Sequence, residues 1–125
     1  VAEVTLNEDR SFTVDRVVIA VDCGLAVNPD VIRAQMEGGM GFGLSPALMS
    51  EITLKDGVVE QSNYHDFRMI GIDQMPKVEV HIVNSSAAPT GVGEPATPVI
   101  APAVANALSA LTGQNFDRLP LQILT

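Results

Sequence analysis

The chain has few of the residues from which disulfides and metal sites are built. It contains one cysteine, Cys23, and two histidines among 125 residues. A single cysteine excludes an internal disulfide, and Cys23 with two histidines does not provide the usual ligand spacing of a zinc site. Because the neighbouring sequence offers no basic residue, we expect Cys23 to be a small buried core residue rather than a reactive thiol.

Basic residues are also scarce. Seven Lys and Arg residues stand against 15 Asp and Glu residues, which gives a formal net charge of −8. A protein that binds the phosphate backbone of a nucleic acid needs a basic face, so the balance of charge argues against a nucleic-acid partner. The acidic residues are spread along the chain, and this pattern favours a role in solubility.

Long apolar runs are missing as well. No stretch is apolar for long enough to span a bilayer, and the start, Val1–Thr5, has no basic region of the kind that begins a signal peptide. These absences leave the compartment open between cytoplasm and periplasm. The length and the hydrophobic fraction of 46% predict one domain over residues 1–125 with a real core.

The pattern of apolar residues predicts an α+β fold. We expect β-hairpins that build a mixed sheet, with two helices packed on it. The predicted strands are 1–6, 12–22, 51–55, 58–62 and 76–83. Asn28-Pro29 predicts the start of the first helix, Thr97-Pro98 predicts the cap and first turn of the second, and Gly113 predicts its end.

One polar residue stands out on the first predicted helix. Helical spacing places Val31, Ile32, Gln35, Met36 and Gly39 on one apolar stripe. Gln35 is then either a core glutamine bonded to backbone or a side chain that hydrogen-bonds a polar ligand.

Four glycines follow within the same helix, at positions 38, 39, 41 and 43. Each costs up to about 1 kcal/mol of helix propensity relative to alanine, so the cluster predicts close packing of another backbone or of a ligand. No Gly-Lys-Ser/Thr follows, and the spacing and acidic partner of a dinucleotide fingerprint are missing. We therefore reject both kinds of phosphate-binding loop.

The segment Thr90–Pro95 holds a carboxylate, Glu94, between glycines and a proline just before the second helix. One interpretation is a tight turn with a solvated glutamate; the other is a rigidly held general base. His65 stands beside Asp66, but neighbours on an extended chain point to opposite faces, so we do not expect the two side chains to touch. His65 and His81 are both interpreted as surface residues.

Several motifs together resemble a known family. They are Gln35–Leu44, Gly91–Pro95, Val21–Pro29, Tyr64–Arg68 and Pro98–Ala107. In their order along the chain they resemble the C-terminal part of the molybdenum-binding subunit of the xanthine dehydrogenase and aldehyde oxidase family, closest to the isoquinoline oxidoreductase β-subunit type. The resemblance covers nearly the whole chain, which makes it more specific than one glycine-rich motif.

The resemblance implies roles for individual residues. Glu94 would be the general base that takes the proton from a water-derived oxygen as it attacks an electron-poor carbon of an aldehyde or N-heterocycle. Gln35 would hydrogen-bond the pterin, and Gly91, Val92 and Gly93 would run beside the cofactor. No protein ligand to the metal is expected, because the pterin dithiolene holds it.

The resemblance also implies cofactors and partners. These are molybdenum with molybdopterin in the cytosine dinucleotide form, a small-molecule substrate, the rest of the molybdenum-binding subunit, and an iron–sulfur subunit that receives the electrons. The family's subunit is several times longer, so we expect this chain to be a fragment of it that is inactive and self-associates when isolated. Two alternatives are a non-catalytic remnant that serves as a structural or assembly module, and a generic small-ligand binding domain.

Overall fold

A three-stranded sheet forms the centre of the fold. In the computed structural model, which describes residues 1–124, β1 (Ala2–Leu6) and β2 (Phe12–Val21) form the predicted antiparallel hairpin. On its other side β2 pairs in parallel with β5 (Lys77–Ile82). The predicted mixed sheet is confirmed, although its parallel half comes from a crossover through a helix rather than from a second hairpin.

The first hairpin contains a β-bulge that the sequence pattern did not reveal. Glu3 lies opposite Arg16 and Val4 opposite Val14, so one residue of β2, Asp15, is extra. The bulge shifts the alternation by one position, and both Val14 and Val17 therefore face the core. On the outer face Arg16 donates to Glu3 on β1 and to Glu79 on β5, which ties the three strands together.

The second predicted hairpin is much shorter than its sequence pattern. Only β3 (Leu54–Lys55) and β4 (Val58–Val59) pair, around a turn in which Asp56 and Gly57 both have positive φ. All four strand residues are exposed. This ribbon lies apart from the main sheet, and a short 3₁₀ turn, Ile72–Gln74, leads from this region to β5.

Helix α1 (Pro29–Leu48) begins as predicted. The Asn28 side chain accepts a hydrogen bond from the Val31 amide at 3.2 Å, and Pro29 takes the first helical position. The predicted apolar stripe is wrong in part, because Val31 and Gln35 are exposed. The stripe that enters the core is formed by Ile32, Met36, Met40, Gly43, Leu44 and Ala47.

Helix α2 (Thr97–Thr112) ends as predicted but begins one residue earlier than expected. Gly113 closes it in the left-handed conformation with φ 73°, whereas its N-cap is Ala96 and not Thr97. Ile100, Val104 and Leu108 are its buried residues.

Within residues 1–124, no helix combines the length and the hydropathy needed to span a bilayer.

The C-terminal segment folds back onto its own chain. The Leu121 amide donates to the carbonyl of Ala47 at 2.8 Å, and the Leu121 side chain is buried. The side-chain amide of Gln114 pairs with both backbone groups of Leu124, at 2.9 and 3.0 Å. As far as Leu124, the segment therefore covers the end of α1 and adds no strand to the sheet.

Candidate functional site: a cleft between α1 and the loop before α2

Two glycines of α1 allow the start of α2 to lie directly against it. A Cβ on Gly43 would overlap the backbone carbonyl of Thr97 and would lie 2.8 Å from Cγ2 of Ile100. A Cβ on Gly39 would lie 3.3 Å from Oγ1 of Thr97 and 3.5 Å from Cβ of Ala96. Close packing of another backbone, one of the two explanations offered for the glycine cluster, is therefore confirmed for Gly43, whereas Gly39 packs mainly against side chains.

The remaining glycines of the cluster divide into an inner and an outer position. A Cβ on Gly41 would meet the sulfur of Met75 at 3.0 Å, so this glycine also serves internal packing. A Cβ on Gly38 would meet nothing within 4 Å. The chain's own packing does not explain why a helix that already contains three glycines has a fourth at position 38.

The end of β2 holds the segment that leads into the Glu94 loop. The Thr90 amide donates to the carbonyl of Cys23 and the Leu25 amide donates to the carbonyl of Ala87, both at 2.9 Å. Gly24 between them has φ +72°, and a Cβ there would overlap the backbone of Ala88. Only glycine fits this position without strain, and the loop consequently starts from the rigid end of β2. Cys23 itself is 3% exposed, as predicted.

The other end of the loop is fixed by Thr97. Its amide donates to the carbonyl of Glu94 at 2.9 Å, and its hydroxyl donates to the carbonyl of Gly39 at 3.0 Å. The carbonyl oxygen of Gly93 lies 3.7 Å from the position that a Cβ on Gly39 would occupy. The loop thus lies across the glycine-rich part of α1.

Between the loop and α1 there is an open cleft of about 590 Å³. Its lining is apolar apart from Glu94 and the Thr97 hydroxyl, and consists of Gly38, Gly39, Phe42, Gly93, Glu94, Pro95, Thr97 and Pro98. Glu94 is exposed. A carboxylate at the rim of an apolar cleft can accept a proton from, or hydrogen-bond to, a ligand seated there.

The other predicted site residues lie around this cleft rather than in its lining. Gln35 is exposed one helical turn before Gly38 and Gly39, on the same side of α1. Gly91 is exposed, and a Cβ on Gly91 or Gly93 would meet nothing within 4 Å. Val92 is half-buried and packs against the core, so only its backbone is left to face outward.

Sequence reasoning missed two residues of the cleft. Thr97 was interpreted only as a helix cap, and Phe42 only as part of a motif. The spacing of Phe42 from Gln35 and Gly38, seven and four residues, places all three on one side of a helix and could have identified it. Nothing local indicates that the Thr97 hydroxyl bonds to a helix that begins 68 residues earlier in the chain, at Pro29.

One expectation about a histidine is wrong. His65 Nε2 lies 3.4 Å from Oδ2 of Asp66, because residues 63–66 form a turn and are not extended. Asp66 accepts hydrogen bonds from the amides of Asn63 and Ser62, which lower its pKa to about 2. This carboxylate organises its own loop.

In residues 1–124 no group of three or more His, Cys, Asp and Glu side chains is placed to hold a metal ion.

Comparison with known proteins identifies the family. The model of the molybdopterin cofactor-binding domain family matches residues 1–76. The chain is 41% identical over 98% of its length to the isoquinoline 1-oxidoreductase subunit beta of Brevundimonas diminuta, and 33% identical over 87% of its length to a putative xanthine dehydrogenase molybdenum-binding subunit of Escherichia coli K12. It spans only 16% and 15% of these two proteins.

Solved structures give the same fold. The crystal structure of quinoline 2-oxidoreductase from Pseudomonas putida 86 matches 90% of the chain with a TM-score of 0.81 and 20% identity, and the chain covers 16% of that protein. The Cu,Mo-CO dehydrogenase matches 86% of the chain with a TM-score of 0.74 and 24% identity. The chain therefore belongs to the molybdopterin cofactor-binding domain family, and resembles within it the molybdenum-binding subunits of isoquinoline oxidoreductase and xanthine dehydrogenase.

Proposed function

We propose that this chain forms the cofactor-facing wall of the molybdenum-binding subunit of a hydroxylase that oxidises an aldehyde or an N-heterocycle, with Glu94 as general base. The observation that carries the proposal is the cleft in which Glu94 and Gly93 of the loop lie against Gly38 and Gly39 of α1. Two of the motifs that carry the family resemblance, Gln35–Leu44 and Gly91–Pro95, are far apart in sequence and meet there.

The glycines in and beside the cleft fit a flat, bulky group. Gly38, Gly91 and Gly93 lack positive φ, and a Cβ on any of them would meet only open space. Their backbones therefore do not require glycine, and neither does the packing of this chain. A ligand that lies directly on the backbone does require it, since each Cβ would occupy the space of the ligand. Molybdopterin, when bound, supplies the molybdenum that accepts two electrons from the substrate.

The side chains around the cleft would have separate tasks. Glu94 would take the proton of the water that supplies the incorporated oxygen, and closure of the cleft by the rest of the subunit would exclude bulk water. The exposed amide of Gln35 would hydrogen-bond the pterin. The backbones of Gly91 and Val92 would run beside the cofactor, for which we propose the cytosine dinucleotide form.

The electrons would leave through iron–sulfur centres on a partner subunit. Such centres need several cysteine thiolates, and the single cysteine of this chain is buried.

The surface of α1 beside the cleft carries exposed apolar side chains, including Phe42 at 63% and Val31 at 53% exposure. We propose that the rest of the molybdenum-binding subunit covers them, and that the isolated chain is inactive and covers them by self-association.

The test is Glu94→Gln in the complete molybdenum-binding subunit, produced together with its iron–sulfur partner. We expect molybdenum content to stay at the wild-type level and dye-coupled substrate oxidation to fall about 10²- to 10⁴-fold, which is the range for loss of a general base. Glu8→Gln, which changes an exposed carboxylate in the turn between β1 and β2, is the matched control. Full turnover in Glu94→Gln would refute the role of Glu94.

The alternative function is a structural or assembly module without catalysis. Its supporting observation is that Glu94 is exposed and that the cleft is open on one side in this chain. Under this alternative the subunit would assemble without molybdenum or pterin, and deletion of the loop would leave assembly unchanged.

A further inference from the structure

Thr97 makes two hydrogen bonds that join the two sides of the cleft. Its amide donates to the Glu94 carbonyl at 2.9 Å, and its hydroxyl donates to the Gly39 carbonyl at 3.0 Å. Gly39 belongs to α1, and Glu94 belongs to the loop before α2. Thr97 is therefore bonded on one side to the helix and on the other to the residue that carries the carboxylate.

The hydroxyl of Thr97 is not used in the usual way. A threonine at the start of a helix commonly caps the free amides of that same helix. Here the N-cap is Ala96, which offers no side-chain bond, and the threonine side chain is directed across to α1. A carbonyl oxygen has two lone pairs, so Gly39 can accept this bond in addition to one within its helix.

The contact leaves little freedom for displacement. A Cβ on Gly43 would overlap the Thr97 carbonyl, and the Thr97 oxygen Oγ1 lies 3.3 Å from the Cβ position of Gly39. The backbone of Thr97 thus lies directly on the backbone of α1. A shift of the loop along α1 would break the hydroxyl bond and would press Thr97 against the helix.

We propose that Thr97 is a positioning residue for Glu94. It sets the distance between the carboxylate and the glycine face of α1, formed by Gly38 and Gly39, on which the cofactor would lie. The proposal rests on the function proposed above. Loss of the hydroxyl would let the loop drift, and a displacement of about 1 Å at a reacting group can cost about 10²-fold in rate.

The experiment compares Thr97→Val, which has nearly the same shape but no hydroxyl, with Thr97→Ser, which keeps the hydroxyl. Both are made in the complete subunit assembled with its partner. For Thr97→Val we expect kcat to fall about 10- to 100-fold with KM and molybdenum content close to wild type. For Thr97→Ser we expect kcat within about threefold of wild type, because the bond to Gly39 is retained.

Thr112→Val is the matched control. The Thr112 hydroxyl donates to the Leu108 carbonyl at 2.8 Å and accepts from the Gln114 amide at 3.2 Å. This change therefore also removes a bond from a threonine hydroxyl to a carbonyl, at the other end of the same helix. We expect its kcat to equal that of wild type. The proposal is overturned if Thr97→Val behaves like Thr112→Val, or if Thr97→Ser loses as much kcat as Thr97→Val.

Hydrogen exchange provides a readout that does not depend on activity. The amide of residue 97 donates to the Glu94 carbonyl. We expect it to be less protected from exchange in Thr97→Val, and as protected as in wild type in Thr97→Ser and Thr112→Val. If Thr97→Val does not assemble, Thr97→Ala replaces it in the same comparison with Thr97→Ser.

The two proposals fail in different ways. If Glu94→Gln is inactive while Thr97→Val keeps full kcat and normal exchange, Thr97 does not position Glu94 and the proposed base stands. If Glu94→Gln is fully active, the proposed base is wrong, and the positioning proposal falls with it whatever the exchange rates.

Discussion

Gly43 of α1 lies directly beneath Thr97 of α2, so that a single added methyl group would overlap the Thr97 carbonyl. We expect Gly43→Ala to lower the free energy of unfolding by about 1–3 kcal/mol, the usual cost of overpacking a close contact. Gly38→Ala is the matched control on the same helix. Its Cβ meets nothing within 4 Å, so we expect it to raise the free energy of unfolding by up to about 1 kcal/mol. Urea unfolding followed by circular dichroism would measure both, and equal effects of the two changes would contradict this account of the packing.

Gly93→Ala separates the requirements of the cofactor from those of the chain. Nothing in the chain lies within 4 Å of the added Cβ, so we expect the free energy of unfolding of the 125-residue chain to change by less than about 0.5 kcal/mol. In the complete subunit we expect pterin and molybdenum content to fall, because the methyl group would enter the cleft. Ser86→Ala, an exposed change in the preceding loop, is the control. Normal cofactor content in Gly93→Ala would show that the cofactor does not approach this glycine.

Asn28 stabilises the start of the helix that carries the glycine face. Its side-chain oxygen accepts from the Val31 amide at 3.2 Å, so we expect Asn28→Ala to cost about 1 kcal/mol of stability. Asn28→Asp keeps an acceptor and adds a negative charge at the helix N-terminus, and we expect stability close to wild type. Chemical denaturation would compare the three proteins. An aspartate variant as unstable as the alanine variant would indicate that the cap is not formed.

Asp66 makes one loop sensitive to acid. Hydrogen bonds from the amides of Asn63 and Ser62 lower its pKa from 3.8 to about 2 in the folded state. A lowered folded pKa means that the folded state holds fewer protons, so the stabilisation is fully present above pH 4 and is lost as the pH falls toward 2. NMR titration of the Asp66 carboxylate would measure this pKa directly. In Asp66→Asn we expect the stability difference from wild type to shrink as the pH falls from 4 toward 2 and to vanish only below the folded pKa. A normal titration near 3.8 would contradict the loop geometry.

The elements that local sequence signals define were predictable. Asn28-Pro29 and Gly113 set a helix start and a helix end by backbone chemistry within a few residues, and both are confirmed. The mixed sheet was also predicted, but the partner of β2 in parallel, β5, was not. That pairing joins segments about 60 residues apart, and no single-strand pattern specifies it.

The candidate site was harder to predict, for a related reason. The pattern of the loop left Glu94 open between a solvated glutamate and a base, and the family resemblance implied roles for Glu94 and Gly93, which both lie in the cleft. It placed Gln35 on the buried stripe, because α1 is apolar on two sides and the burial of one side depends on where α2 packs. The role of Thr97 depends on the same packing, and so does the explanation of Gly39 and Gly43.

The loop that carries Glu94 is held at both ends and by Val92, which packs against the core, but its two glycines are free. Thr90 bonds to Cys23 just past the end of β2, and Thr97 bonds to Gly39 on α1, whereas Gly91 and Gly93 make no contact that a side chain would disturb. We therefore expect this segment to open locally at a free energy far below that of global unfolding. A large planar ligand could then enter or leave while the domain stays folded and its hydrophobic core stays intact. Only a few residues would be displaced, and the hydrogen bonds of Thr90 and Thr97 would return them to the same position.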